Sequence, residues 1–150
     1  MEYIIREAKL EETNKVDELL TKLIRDEKQY DDNINEYIFI IDYYKNVIGK
    51  ENNYLLVAIV DNNIVGYLYG FIKDDGTYNN KISKLDALYV EEAYRKNKIA
   101  DSLIKQFKEW SKEKQAIKME VNVCSDNVKA KNLYNKNDFK SFQETLVAKL

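Results

Sequence analysis

The stretch "LDALYVEEAYRKNKIADSLI", Leu85–Ile104, carries the reading on which the fold turns. It begins as an apolar run, Leu85–Val90, broken only by Asp86. It ends in helical spacing, with Ile99 and Leu103 followed by Phe107 and Trp110, and Ala100 and Ile104 beside them. Between the two stand Arg95, Lys96 and Lys98. The pattern is strand, basic turn, helix. Backbone N–H groups at a helix start lack partners, and the helix dipole leaves partial positive charge there. A phosphate is well placed at such an end, and basic side chains add charge-assisted donors. A solvated turn fits the same charges, because basic turns before helices are common and no glycine-rich pattern marks close backbone approach.

The flanking sequence supplies the rest of the framework. Upstream, "NYLLVAIVDNNIVGYLYGFIKDDG" reads as a hairpin, Leu55–Val60 and Ile64–Ile72 joined by "DNN". "YIIREA" (Tyr3–Ala8) reads as a first strand. Val16, Leu19, Leu20, Leu23 and Ile24 then mark an amphipathic helix. "KQYDDNIN" is a polar loop, and "EYIFIIDYYKNVI" (Glu36–Ile48) reads as a second helix, with strand as the alternative. Ile82–Val90 is a strand, central in its sheet by its apolar content. The basic turn opens a helix over Ile99–Glu113. Downstream, "AIKMEVNVC" nearly alternates and reads as a strand, Ser125–Asn127 offer N-caps, "VKAKNLYNKND" is a short helix, and "FKSFQETLVAKL" gives one or two last strands. The order β-α-α-β-β-β-α-β-α-β implies an α/β fold, a mixed sheet flanked by helices.

Composition narrows the chemistry. A chain of 150 residues, 45% hydrophobic and 33% charged, fits one domain spanning residues 1–150. A net charge of −2 and the absence of a broad basic face disfavour nucleic acid and acidic membranes as partners. No apolar span is long enough for a membrane helix, and "MEYIIREAKLEE" lacks signal-peptide features. One cysteine, Cys124, excludes an internal disulfide and fits a cytoplasmic location. With no histidine, a zinc site is not expected, and no metal is. Any acid or base working near neutral pH must then be a carboxylate, tyrosine, lysine, Cys124 or water.

"LDALYVEEAYRKNKIADSLI" followed by a strand and then "DNVKAKNLYNKNDF" (Asp126–Phe139) resembles the GCN5-related N-acetyltransferase (GNAT) family. In that family a central strand leads into Arg/Gln-x-x-Gly-x-Gly/Ala at a helix start. Here the loop is Arg95-Lys96-Asn97-Lys98-Ile99-Ala100, with Lys98 at the central glycine position. The second family signature, Asn-x-x-Ala-x-x-Leu-Tyr-x-Lys-x-Gly-Phe, matches Asn127 to Phe139, with Asp138 in place of glycine. The resemblance implies the GNAT fold and binding of acetyl-coenzyme A. Amides of Leu88, Tyr89 and Val90 would hold the pantetheine arm. The loop Arg95, Lys96, Asn97, Lys98, Ile99 and Ala100 would hold the pyrophosphate, with Asn127 nearby. The Tyr134 hydroxyl would face the coenzyme A sulfur.

Each candidate has a plainer alternative. Tyr134, a phenol of ordinary pKa about 10, can hold a proton at neutral pH and deliver it to a leaving thiolate. The motif context favours this role; the alternative is a packing aromatic on a short helix. Strict alternation places Asp86, Leu88 and Val90 on one face, with Ala87 and Tyr89 on the other. Asp86 is similar in position to an acidic residue with which some family members take the amine's proton; a salt bridge or strand-end position is the alternative. Cys124 could carry an acetyl group, but no histidine is present to activate it, and an inert buried cysteine is as natural. "RDEKQYDDNINE" (Arg25–Glu36) lies where the family forms its acceptor side, so Tyr30 and Asp31 are candidate acceptor-binding residues, on a rim that attracts cations. A solvated loop is the alternative. The expectation is an acetyl-CoA-dependent N-acetyltransferase acting on a small-molecule amine, or a lysine or N-terminal amine, by direct attack, possible homodimers included. A non-catalytic acyl-CoA sensor or partner-binding module is the alternative, favoured by Lys98.

Overall fold

The computed structural model describes residues Met1–Leu150. Five strands form one sheet in sequential order, β1 (Ile4–Glu7), β2 (Asn53–Val60), β3 (Asn63–Lys73), β4 (Ile82–Val90) and β5 (Met119–Val121). The first four are antiparallel neighbours, and β5 runs parallel to β4. Three helices complete the fold: α1 (Thr13–Glu27), α2 (Ile99–Glu113) and α3 (Val128–Lys136). The mixed α/β architecture matches the expectation from element order.

The sheet is covered on both faces. On one, Leu56, Leu68, Leu85 and Val90 pack against Ile99, Leu103, Phe107 and Trp110 of α2. On the other, Val57, Tyr67, Ala87 and Tyr89 pack against Val16 and Leu19 of α1 and against Tyr44. Strands buried on both sides read as continuous apolar runs rather than alternating ones, as β2 and β3 do. The "DNN" hairpin closes as expected, with Asp61 and Asn62 both in left-handed conformation, as a two-residue type I′ turn requires. Gly70 admits α2 close to the sheet, since a Cβ there would stand 2.3 Å from the Phe107 ring. Arg6 on β1 forks onto both Glu12 carboxylate oxygens at 2.8 Å and so fixes the entry to α1.

Three expectations fail, for identifiable reasons. The second helix over Glu36–Ile48 does not form; only a 3-10 turn, Tyr44–Asn46, is helical. Side chains of α1 take up that segment's backbone groups instead. Asp17 accepts from the Tyr44 N–H at 3.0 Å, Thr21 Oγ1 accepts from the Ile40 N–H at 3.0 Å, and Arg25 Nε donates to the Ile38 carbonyl at 2.9 Å. Asp17 and Thr21 are buried polar groups, and this is how they are satisfied. The strand over "AIKMEVNVC" is short, confined to Met119–Val121, because pairing with β4 ends there. No last strand forms: Lys140–Leu150 is exposed and lies outside every helix and strand.

Candidate active site

The site starts where two parallel strands separate. β5 pairs with β4 only over Ser83–Leu85, yet β4 continues to Val90. From Asp86 to Val90, one edge of β4 therefore has no neighbouring strand. Backbone donors and acceptors on such an edge are free for an extended ligand. Leu88, Tyr89 and Val90, the residues the sequence nominated for the pantetheine arm, lie on this stretch.

The start of α2 stands at one side of the opening. Lys96 and Lys98 both adopt left-handed backbone with φ of 64°, and Lys98 is the N-cap residue. Lysine there costs about 1 kcal/mol or more relative to glycine. The conformation that glycine would supply is nevertheless formed. Tyr3 helps hold it: its hydroxyl donates to the Lys98 carbonyl at 3.2 Å and lies 2.6 Å from Ser102 Oγ. Ile99 is buried beneath the turn. No side chain caps the first turn of α2, so its amides remain available to an anion. The side chains divide differently from the sequence pattern. Arg95 is turned back: Nε donates to the Val90 carbonyl at 2.8 Å, its guanidinium stands 5.3 Å from the Tyr89 ring centre, and Asp26 is 3.8 Å away. Asn97 donates to the Tyr94 and Arg95 carbonyls and stabilises the turn itself. Lys96 and Lys98 are exposed, and Ala100 packs partly against the core.

α3 forms the other side. Asn127 is its N-cap, accepting from the Ala130 N–H at 3.1 Å. Its observed task is to start the helix that carries Tyr134. The two helices are tied across the opening. Asp101, in the first turn of α2, accepts from Asn137 at 2.8 Å and pairs with Lys136 at 3.1 Å. Asp138 adopts φ of 72°, the left-handed geometry a glycine there would supply, and the chain turns back so that Phe139 meets Tyr134 edge-on at 5.5 Å. Burial, with the charge of Glu27 adding to it, pushes the Tyr134 phenol up to about 12. It is therefore a proton donor at every pH near neutrality.

Asp86 is where alternation breaks. Tyr69 pairs with Ala87, but Gly70 pairs with Leu85, so Asp86 is the extra residue of a β-bulge. The bulge corrects the face assignment. Leu85, Leu88 and Val90 pack on the α2 side and Ala87 and Tyr89 on the α1 side, so the alternation changes phase at Asp86. Its charge is felt by Tyr43, Tyr44, Tyr67 and Tyr69, which lie on that side. Tyr44 and Tyr67 share a buried hydroxyl–hydroxyl hydrogen bond of 3.0 Å, and Tyr69 donates to Asn53. Burial and these charges push Tyr69 up to about 12. Asp86 is itself exposed, and partial desolvation by its surroundings holds its carboxyl above the ordinary aspartate range, with Lys84 opposing. Asp86 thus acts on the tyrosines of the α1 side, while Tyr134 packs against the α2-side core.

Glu27, the last residue of α1, is a further acidic group here. Burial first, and Asp31 second, raise its carboxyl. Its charge in turn helps raise Tyr134 and Cys124. The sequence put Glu27 on an acidic rim but gave no sign that its charge would reach Tyr134. Asp31 holds an Asx turn, accepting from the Asn33 N–H at 3.0 Å, and Tyr30 is partly buried. Cys124 is exposed past the end of β5, and partial desolvation with the charges of Glu27, Asp31 and Asp126 pushes its thiol up, away from the reactive thiolate. Tyr37, Phe39 and Ile41 present an exposed apolar row on the segment beyond Asp31.

A family model described as the acetyltransferase (GNAT) family matches residues 16–139. No curated protein matches this sequence. Solved structures do. A mutant protein from Bacillus halodurans has a TM-score of 0.87 at 21% identity, covering 98% of this chain and 99% of its own. A transcriptional regulator from the same organism has a TM-score of 0.80 at 21% identity over 99% and 100% of the chains. A ribosomal-protein-alanine N-acetyltransferase from Brucella melitensis has a TM-score of 0.74 at 18% identity over the whole of both chains. At these identities the likeness is one of fold, and one fold carries both a regulator and an enzyme.

Proposed function

Because the chain belongs to the GNAT acetyltransferase family, we propose that it transfers the acetyl group of acetyl-CoA to a primary amine within a ternary complex. The observation that carries this reading is the unpaired edge of β4, Asp86–Val90, lying between the uncapped start of α2 and Tyr134. An elongated thioester with a pyrophosphate at one end fits those two features together. Amides of the first turn of α2 bind the pyrophosphate, with Lys96 and Lys98 as flanking charges and Arg95 bracing the turn from behind. The β4 edge aligns the pantetheine arm, and a backbone N–H at Leu88 polarises the thioester carbonyl.

The chemistry is one displacement. The amine nitrogen bonds to the acetyl carbon, the carbon–sulfur bond breaks, and the thiolate takes the Tyr134 proton. The proton lost by the amine goes to Asp86, directly or through water. A carboxyl lifted toward neutrality is better matched to that transfer than an ordinary one. Positioning does much of the remaining work.

The acceptor side is negative and aromatic. Glu27 with Asp31 makes one acidic grouping, and Asp86 with Tyr43 and Tyr69 makes another. A cationic amine is the acceptor this lining favours. The sensor reading leans on Lys98, whose left-handed backbone fits cofactor binding under either reading, so turnover is what separates the two. The test is thiol release from acetyl-CoA over a panel of polyamines, aminoglycosides and lysine peptides. Turnover with cationic amines and little with neutral ones is expected. Tight acetyl-CoA binding with no thiol release above background from any amine would defeat the enzyme reading.

A further inference from the structure

The segment Glu36–Tyr43 forms neither helix nor strand, and it carries an unused backbone edge. Its exposure alternates as in an extended chain: Tyr37 is 81% exposed, Phe39 71% and Ile41 65%, with Ile38 and Ile40 half-buried between them. One backbone edge is occupied. The Ile38 carbonyl accepts from Arg25 and the Ile40 N–H donates to Thr21, both residues of α1. In an extended chain the N–H and C=O groups of alternate residues point to opposite edges. Those of Phe39 and Ile41 therefore fall on the other edge, and no hydrogen bond within the chain engages any of the four. Isolated apolar residues on a surface are ordinary, but a contiguous row beside a free backbone edge marks an interaction site.

The edge calls for an extended polypeptide, because only another backbone satisfies its donors and acceptors at a two-residue repeat. Charge says which kind. Between Lys28 and Lys45 the chain has no Lys or Arg, but it has Asp31, Asp32, Glu36 and Asp42. Lys28 donates to the Asp32 and Ile34 carbonyls, and Lys45 pairs with Asp42 at 3.2 Å. Asp31, Asp32 and Glu36 are left without an ion pair. A second copy added through the same strip about a two-fold axis would set carboxylates against carboxylates. A basic partner is complementary instead. The strip ends at Tyr43, whose ring meets Tyr44 edge-on at 4.8 Å, and Tyr44 bonds in turn to Tyr67 of β3. One end of a docked chain thus lies on the tyrosine-lined side of the sheet where Asp86 acts.

We propose that Glu36–Tyr43 docks an extended segment of another protein, in which apolar residues alternate with lysine or arginine, added as a strand along the backbone of Phe39 and Ile41. Main-chain bonds hold the segment, its apolar residues cover Tyr37, Phe39 and Ile41, and its cations meet Asp31, Asp32 and Glu36. The inference stands on this strip alone and does not require turnover.

The probe is a fluorescent peptide of alternating valine and lysine, titrated with the full chain and read by anisotropy, with a valine–glutamate peptide as its counterpart. The lysine peptide should bind and the glutamate peptide should not. Phe39→Asp, at an exposed side chain, should weaken binding roughly tenfold or more, with the thermal transition and acetyl-CoA affinity unchanged. N-methyl groups on one alternate set of peptide residues should abolish binding, and on the other set should spare it, since only one set faces the strip. No binding by the lysine peptide, an equal effect from both N-methyl sets, or wild-type binding by Phe39→Asp would each overturn the proposal. So would a concentration-dependent dimer dispersed by Phe39→Asp, which would make a second copy the occupant. A chain ending at Ser141 that binds the peptide far more tightly would overturn it too, by making the protein's own C-terminal segment the occupant. Peptide binding without thiol release from any amine would uphold the docking strip and defeat the enzyme reading, so the two fail separately.

Discussion

The turn Arg95–Ala100 and the segment Lys28–Ile48 are two irregular stretches bordering the same opening, and they are built in different ways. The turn is local. Its shape comes from two left-handed residues, from Asn97 bonded to carbonyls two and three residues back, and from Arg95 bonded to a carbonyl five residues back. The segment is remote in its causes. Asp17, Thr21 and Arg25 hold it across separations of 27, 19 and 13 residues. Local bonds leave a signature in the spacing of residues. Bonds between a helix side chain and a distant backbone leave almost none.

The comparison can be broken at several points. The largest expected effect is at Tyr134, contributed by the motif-bearing half. Tyr134→Phe should lower kcat by roughly a hundredfold or more, the usual scale of a lost general acid, with little change in acetyl-CoA affinity. An unchanged kcat across the pH range would remove Tyr134 from the acid role. Next is Asp86, on the facing side. Asp86→Asn should lower kcat at neutral pH by about ten- to a hundredfold. It should also alter stability in a defined direction. A carboxyl raised in the folded state binds its proton more tightly there than in the unfolded chain. The stabilisation this gives is complete below the unfolded aspartate pKa and disappears as pH rises through the folded one. Asparagine has no such dependence, so the variant should gain on the wild type as pH rises from about 4 toward 7. Thermal unfolding at pH 4 and pH 7 checks the sign.

Asp17→Ala sharpens the contrast, because it cuts the remote support alone. The buried Tyr44 N–H would lose its acceptor, at a cost of about 1–3 kcal/mol read by denaturant unfolding. KM for the amine should rise while KM for acetyl-CoA stays. Equal changes in both would mean that the segment serves the two substrates alike. The smallest effect is expected at Lys98. Lys98→Gly relieves a left-handed lysine and should add about 1 kcal/mol of stability while acetyl-CoA still binds. Loss of binding would show that the ammonium makes an essential contact.

The bulge at Asp86 marks the limit of pattern reading most clearly. Alternation assigned Asp86 to the face of Leu88 and Val90, and one extra residue opposite Tyr69 and Gly70 breaks the alternation there. Nothing in "LDALYV" announces a bulge, since the register is set by what β3 offers across the ladder. The failed helix at Glu36–Ile48 is the same lesson on a larger scale. Its β-branched and aromatic residues were compatible with helix or strand, and the α1 side chains decided for neither.

The amino-acid sequence by itself determined the two covered faces of the sheet, the helices at Ile99 and Val128, the hairpin at Asp61–Asn63 and the two motifs, because each follows from periodicity or from residues a few positions apart. Only the tertiary structure decided that Arg95 faces backward, that the charge of Glu27 reaches Tyr134 and that of Asp86 the tyrosines, and that the strand-like Lys140–Leu150 is left unpaired. Those outcomes depend on which distant groups meet, and a strand, unlike a helix, finds its hydrogen-bond partners outside itself.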